Sequence, residues 1–279
     1  MAVALIFVVV AVGSVLFHLL SPWWFTPIAS NWSYIDATVG ITFLITGAVF
    51  SAVILFMAYC IFRYRHVDGR AAVFEPERRK LESWLAILTA GGVAAMLVPG
   101  LFVWYQFVTV PNGTAEFEVV GQQWQWNYRL PGEHGHLGKS DPQFVSADNP
   151  LGLNPNDPAG RDNIVVIGDD LHLPVGRPAK MLLRSIDVVH DFWVPEFRAK
   201  MDLMPGLETH FWFTPTRTGT FEILCAGFCG VGHPQMRGNV VVESEADYQA
   251  WLKKQKTFAQ LMGPQKFAAT GPSRGAVSK

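Results

Sequence analysis

Residues 225–236 read Cys225-Ala226-Gly227-Phe228-Cys229-Gly230-Val231-Gly232-His233-Pro234-Gln235-Met236. Two thiols, an imidazole and a thioether fall within one short run. A second imidazole, His190, lies upstream in Val188-Val189-His190-Asp191-Phe192-Trp193. Soft and borderline donors of this kind favour copper over magnesium or calcium. The glycines at 227, 230 and 232 let the chain fold back so that several side chains converge. Other readings of the same residues stay open at this point. The cysteine pair also reads as a disulfide on an oxidising side of a membrane, or as two reduced core thiols. A zinc site is a further alternative, but methionine is a poor zinc ligand and the spacing is not Cys-x2-Cys. Taken alone, His190 beside Trp193 reads as a packed residue, and so does His233.

Outward from this run the pattern is that of an all-β domain. From about Glu116, short segments rich in Val, Ile, Phe and Thr alternate with Gly, Pro, Asn and Asp. Segments 116–120, 163–167, 179–184, 208–213, 220–224 and 238–243 predict strands of a sandwich or barrel of about 130 residues, an ordinary domain size. Residues 132–162 predict a long surface loop. Residues 245–261 predict a short terminal helix, and those after Gly263 a polar tail.

The first third of the chain differs. Half of the 279 residues are hydrophobic and only 16% are charged, below the usual quarter for soluble domains. The apolar excess sits in residues 2–20, 38–62 and 84–108. Each run is long enough to cross about 30 Å of hydrocarbon as a helix. The first also reads as a signal peptide, but it lacks a basic start, and Ser21-Pro22-Trp23-Trp24 is a poor cleavage site. A retained helix is the expectation. No Lys or Arg precedes Arg63, whereas Arg63, Arg65, Arg70, Arg78, Arg79 and Lys80 crowd the loop 63–83. By the positive-inside rule that loop is cytoplasmic, and everything after Val110 is outside. Trp23, Trp24, Trp32, Tyr34, Trp104 and Tyr105 then fall where an interfacial aromatic belt would lie. Pro99-Gly100 and the small residues of 89–95 suit a kinked, closely packed membrane helix. A net charge of −1 gives no basic footprint for nucleic acid. Three cysteines, two of them in the cluster, argue against a disulfide-stapled secreted fold.

The Cys-x3-Cys-x3-His-x2-Met run and the segment Val189-His190-Asp191-Phe192-Trp193-Val194-Pro195 together carry a family resemblance. The chain resembles subunit II of the haem–copper oxygen reductases, of the cytochrome c oxidase type with a binuclear CuA centre, over about residues 38–255. The resemblance implies that Cys225 and Cys229 bridge two coppers. It makes His190 and His233 terminal ligands, Met236 a weak ligand and the Gly227 carbonyl the last. It implies an α-helical membrane part, a hairpin plus an extra N-terminal helix, followed by an all-β cupredoxin-like Greek-key domain. The expected divisions are an apolar segment and outer linker (1–37), a transmembrane hairpin (38–110), an outer copper domain (111–255) and a tail (256–279).

The segment Gly121-Gln122-Gln123-Trp124-Gln125-Trp126-Asn127-Tyr128 resembles the family's aromatic run. Trp124 would be the point where electrons arrive, with Trp126 and Tyr128 as support; a plain core strand is the competing reading. Asp187 matches a carboxylate that attracts a basic cytochrome c. Arg129 stands where the family is often acidic. Gly227 stands where the family usually has a glutamate that helps to hold magnesium, so no side-chain magnesium contact is expected from this chain. Glu82 matches a glutamate at the mouth of a proton path, and equally suits the N-terminal dipole of a helix.

The function implied is that of an electron-input subunit in the cell (inner) membrane, multi-pass, with its copper domain on the outer, periplasmic side. A c-type cytochrome or another small redox donor would deliver electrons. A catalytic subunit I holding haem and CuB would reduce oxygen to water coupled to proton translocation. Other oxidase subunits and membrane lipid complete the expected partners. The alternatives are a CuA subunit of a nitric-oxide reductase and a copper-free quinol-oxidase-type or structural subunit. The absence of Cys-x-x-Cys-His excludes a fused c-type haem.

Overall fold

Apolar length without internal charge dictates three long helices, and the computed structural model, which describes residues 1–21, 26–71 and 76–263, contains them. They are α1 (Ala2–Leu20), α2 (Ser33–Arg63) and α3 (Arg79–Val108). All three are long and apolar enough to cross a membrane. Trp23, Trp24, residues 72–75 of the basic loop and the tail beyond Gly263 lie outside the described residues. Both α2 and α3 begin about a turn before their apolar runs, because Ser33-Tyr34-Ile35-Asp36 and Arg79-Lys80-Leu81-Glu82 form polar first turns. The hydroxyls of Thr38, Thr42 and Thr46 each donate to the carbonyl four residues earlier, so these polar groups are satisfied inside α2, as hydrocarbon requires. Helix α1 packs along α2, with the His18 and Phe43 rings 5.2 Å apart.

Residues 1–26 and 33–105 form one compact unit, and 27–32 with 106 onward a second. The second unit is a sandwich of two five-stranded sheets. The strands are β1 (Ala115–Gln122), β2 (Gln125–Leu130), β3 (Ile164–Ile167), β4 (Leu171–Pro174), β5 (Ala179–Ser185), β6 (His190–Val194), β7 (Ala199–Leu203), β8 (Thr209–Phe213), β9 (Gly219–Cys225) and β10 (Arg237–Glu243). One sheet runs β3-β2-β1-β5-β8 and the other β4-β10-β9-β6-β7. Strand pairs β1/β5 and β4/β10 are parallel; the others are antiparallel. This is the cupredoxin-like all-β domain. Alternation sets the faces: in β5 residues Ala179, Met181, Leu183 and Ser185 point inward, as a period of two demands. Between the sheets Phe197 packs 4.8 Å from Phe213 and 5.0 Å from Phe221, ring to ring.

Residues 27–32, expected as a linker, are woven into this sandwich. The Ala29 amide donates to the Glu196 carbonyl at 2.7 Å, and the Ala29 carbonyl accepts from Thr216 at 2.9 Å. Ser30 Oγ donates to the Phe197 carbonyl. Trp32, read from sequence as an interfacial anchor, is instead a core residue only 2% exposed. Its ring lies 4.9 Å from that of Trp212 and 5.2 Å from that of Phe107, and its indole donates to the Trp212 carbonyl. Tyr34, Trp104 and Tyr105 are exposed. The terminal helix is split into α4 (Glu245–Leu252) and α5 (Phe258–Met262). Thr257 restarts the chain through a capping box with Gln260.

Candidate metal centre

Strand register brings the cluster together. β6 and β9 are antiparallel, with Phe192 opposite Cys225, so His190, two residues earlier on β6, lies level with Gly227 just past the end of β9. The Ala226 amide donates to the Asp191 carbonyl at 3.0 Å, which extends the pairing by one step. The chain then loops through Cys229 and a short 3-10 turn, His233–Gln235, into β10. Gly227 lies in a close space that does not forbid a side chain. A Cβ at that position would stand 3.3 Å from Asp191 Cβ and 3.4 Å from the His190 carbonyl carbon.

All six predicted donors meet in one place. Cys225 Sγ lies 3.7 Å from Cys229 Sγ and 3.1 Å from the Gly227 carbonyl oxygen. Cys229 Sγ lies 3.6 Å from His233 Nδ1 and 3.8 Å from Met236 Sδ. Ligand atoms of His190, Cys225 and Cys229 lie within 4.8 Å of one another. Both cysteines are free thiols. His190 is fully buried, and its Nδ1 has no hydrogen-bond partner while Nε2 is held by Asp187 Oδ1 at 2.8 Å. The imidazole adjoins the Cys225 sulfur, so a buried nitrogen donor and two sulfurs converge on one point. The donor set of two sulfurs, two imidazoles and a thioether suits copper.

The electrostatics favour thiolate formation. Burial pushes the Cys225 thiol up, but the adjoining His190 imidazole and the backbone at Asp191 and Gly227 outweigh it, and the net movement is down. Cys229 moves up, from burial first and the neighbouring Cys225 sulfur next. The two thiols thus move in opposite directions, and Cys225 is the readier thiolate. Burial likewise opposes ionisation of Asp187, yet bonds from the Gln123 amide and His190 carry its carboxyl below the usual range.

The β1–β2 turn folds over the cluster. Trp124 is 38% exposed, and its indole nitrogen donates to the Cys229 carbonyl at 3.2 Å. A Cβ at Gly232 would lie 2.2 Å from Trp124 Cδ2, so the indole rests directly on the ligand loop. Trp126 is buried, edge-on to His190 and Phe192. Sequence reasoning cast Asp187 as a docking carboxylate; here its two oxygens bind His190 Nε2 and the Gln123 amide. The Asp187–His190 contact is local, three residues apart, but the bond to Gln123 joins residues far apart in sequence and leaves no local signal. Arg129 is no surface charge either. It is buried and pairs with the buried Glu118 at 2.7 Å, and Glu118 also binds Arg184 at 3.0 Å. Glu82 belongs to the helical unit, exposed in the first turn of α3, where its carboxylate accepts from the Arg78 amide at 3.4 Å.

Residues 116–245 match the family model for cytochrome c oxidase subunit II, periplasmic domain. The chain is 63% identical to an alternative cytochrome c oxidase subunit 2 of Bradyrhizobium diazoefficiens, over 94% of this chain and 95% of that protein. It is 27% identical to cytochrome c oxidase subunit 2 of Cereibacter sphaeroides, over 82% of this chain and 77% of that protein. Among solved structures, the periplasmic domain of subunit II of cytochrome oxidase (CoxB) of Bradyrhizobium japonicum aligns with a TM-score of 0.39 at 24% identity, over 52% of this chain and 95% of that one. With one relative matched along nearly its whole length at that identity, and with the periplasmic-domain family matched across the metal cluster, the chain belongs to the cytochrome c oxidase subunit II family.

Proposed function

We propose that this chain is the electron-input subunit of a membrane terminal oxidase. In this reading His190, Cys225, Cys229, His233 and Met236, with the Gly227 carbonyl, hold a binuclear copper centre of the CuA type. When bound, such a centre supplies one-electron transfer with little change of geometry and leaves no open position for a substrate. The chain's own residues do the rest. Asp187 orients His190, Trp126 backs its ring, and the folded loop excludes water from the sulfurs. The observation that carries the reading is the buried convergence of ligand atoms of His190, Cys225 and Cys229 within 4.8 Å of one another.

Trp124 is the proposed point of electron arrival, one hydrogen bond from the Cys229 peptide. Phe228 and Val231 stand 85% and 89% exposed on the same loop, an apolar contact for a donor. Asp169 and Asp170 line a cleft that Trp124 borders, which suits a donor with basic side chains such as a c-type cytochrome. The three helices cross the inner membrane as a multi-pass anchor with residues 63–83 inside, the sandwich outside, and lipid around them. A catalytic haem–copper subunit and further oxidase subunits are the proposed partners. That catalytic subunit receives the electrons, reduces oxygen to water and couples the reaction to proton translocation. Glu82 is proposed for the mouth of its proton path.

Copper reconstitution of the full-length chain in detergent tests the reading. The expected product is purple, with a two-copper mixed-valence paramagnetic resonance signal. A colourless chain that binds no copper, or one holding a single type of isolated copper, overturns it.

A further inference from the structure

The side-chain amide of Gln123 donates to the Cys229 carbonyl at 2.9 Å. The Trp124 indole donates to the same oxygen at 3.2 Å. The backbone amide of Gln123 meanwhile donates to Asp187 Oδ2 at 2.6 Å, and Asp187 Oδ1 holds His190 Nε2 at 2.8 Å. One residue of the β1–β2 turn thus reaches both ligand-bearing segments, His190 through Asp187 and the 225–236 loop through Cys229. Gln123 lies on the exposed side of the turn.

We propose that Gln123 is a positioning residue of the metal centre: its side-chain amide pins the Cys229 peptide beneath Trp124 and keeps the indole coupled to the ligand loop through one carbonyl. This rests on the electron-input reading above. Without the second donor, the Cys229 carbonyl keeps only the indole of Trp124, a ring 38% exposed. A carbonyl with two lone pairs takes two donors without strain. A coupled set of such bonds orders a loop more than either bond alone. The Cys229 sulfur sits on the same residue as that carbonyl, so loosening the peptide also loosens the sulfur's position against Cys225 and His233.

Two variants and two readouts test it in the full-length chain. Gln123→Met removes the donor and keeps the length; Gln123→Lys keeps a donor. In the copper-free chain, hydrogen exchange of the 226–235 amides should rise about threefold to tenfold in Gln123→Met, the range one hydrogen bond confers, and fall back at least halfway in Gln123→Lys. In the copper-loaded chain, Gln123→Met should take up as much copper as the parent. Its paramagnetic hyperfine pattern should shift, and electron uptake from a small soluble one-electron donor should slow about tenfold. Unchanged exchange and an unchanged spectrum in Gln123→Met overturn the proposal, as does a lysine variant as loose as the methionine one. If the parent chain binds no copper, the electron-input reading fails, and the copper-free exchange still decides whether Gln123 pins the loop.

Discussion

At the scale of single residues, the chain separates charges it uses from charges it hides. Glu118, Arg129 and Arg184 form a buried ionic triad with N–O distances of 2.7 and 3.0 Å. Burial alone would raise the Glu118 carboxyl; the two guanidiniums outweigh it and hold it below the ordinary glutamate value of 4.5. A depressed folded value contributes stability that is fully present above the unfolded value and lost as pH falls through the folded one. Denaturant unfolding of the parent should therefore show a larger acid loss of stability below pH 4.5 than the Glu118→Gln variant, which keeps the depressed carboxyls of Asp157, Asp162 and Asp187. At neutral pH, Glu118→Gln should cost about 3–5 kcal/mol, because it removes the carboxylate partner of the buried Arg129 and the part-buried Arg184. A variant as stable as the parent at pH 7 would refute this account of the triad. The same triad gives the basic residue at the often-acidic position, Arg129, a structural role. Sequence gives its type and its neighbours, but β2 buries both faces from Trp126 to Leu130, so a charge that looks like surface is core. The run Cys225–Met236 stood out because its chemistry is local and its spacing short, whereas His190 reaches it only through the β6/β9 register. Asp187 and Gln123 did not stand out, since their roles depend on which turn the fold lays over the loop.

At the scale of elements, the strongest departure from expectation is the segment 27–32. It binds the sandwich through the Ala29 and Ser30 backbone and side-chain bonds and through the Trp32 ring. Trp32→Ala should therefore destabilise the β-sandwich by about 3–5 kcal/mol, the usual cost of emptying a core aromatic site. Thermal melting followed by near-ultraviolet circular dichroism measures it. If Trp32 were a membrane-interface anchor, the sandwich would melt as before. The six segments singled out as strands are apolar and, apart from 179–184, carry Val, Ile or Thr. β4, β6 and β7 give weaker signals, and β2 reads as a core strand only in the competing reading, for separate physical reasons. β4 has four residues and ends in proline; β7 carries Lys200 and Asp202 on its outward face; β6 buries nearly every side chain and so shows no alternation; β2 hides Asn127 and Arg129. The break between α4 and α5 had a signal, the Thr257-x-x-Gln260 capping pattern, masked by the run of lysines before it.

At the scale of the whole molecule, two units answer to different perturbations, and two predictions follow from that separation. The donors come from β6, the end of β9 and the loop into β10, so a bound metal links segments of the sandwich alone. Copper at a hundred times its dissociation constant should stabilise the sandwich transition by about 2.7 kcal/mol and leave the helical signal unmoved. Calorimetry of the loaded and chelator-stripped chain checks this; a shift in both transitions, or in neither, contradicts it. Glu82 tests the other unit. Its carboxylate accepts from the Arg78 amide in the first turn of α3, a place where a negative side chain is favoured by the helix dipole whatever else it does. Glutamine keeps an acceptor at that position but removes the ionisable group. If Glu82 only caps the helix, Glu82→Gln in the assembled oxidase should leave turnover, helix content and the copper spectrum as they are. If the carboxylate passes protons toward the catalytic subunit, turnover should fall severalfold while the copper spectrum and the rate of electron uptake at Trp124 stay fixed. We expect the second pattern. Unchanged turnover would return Glu82 to a purely structural role without touching the copper assignment, because no donor of the metal centre lies in the helical unit.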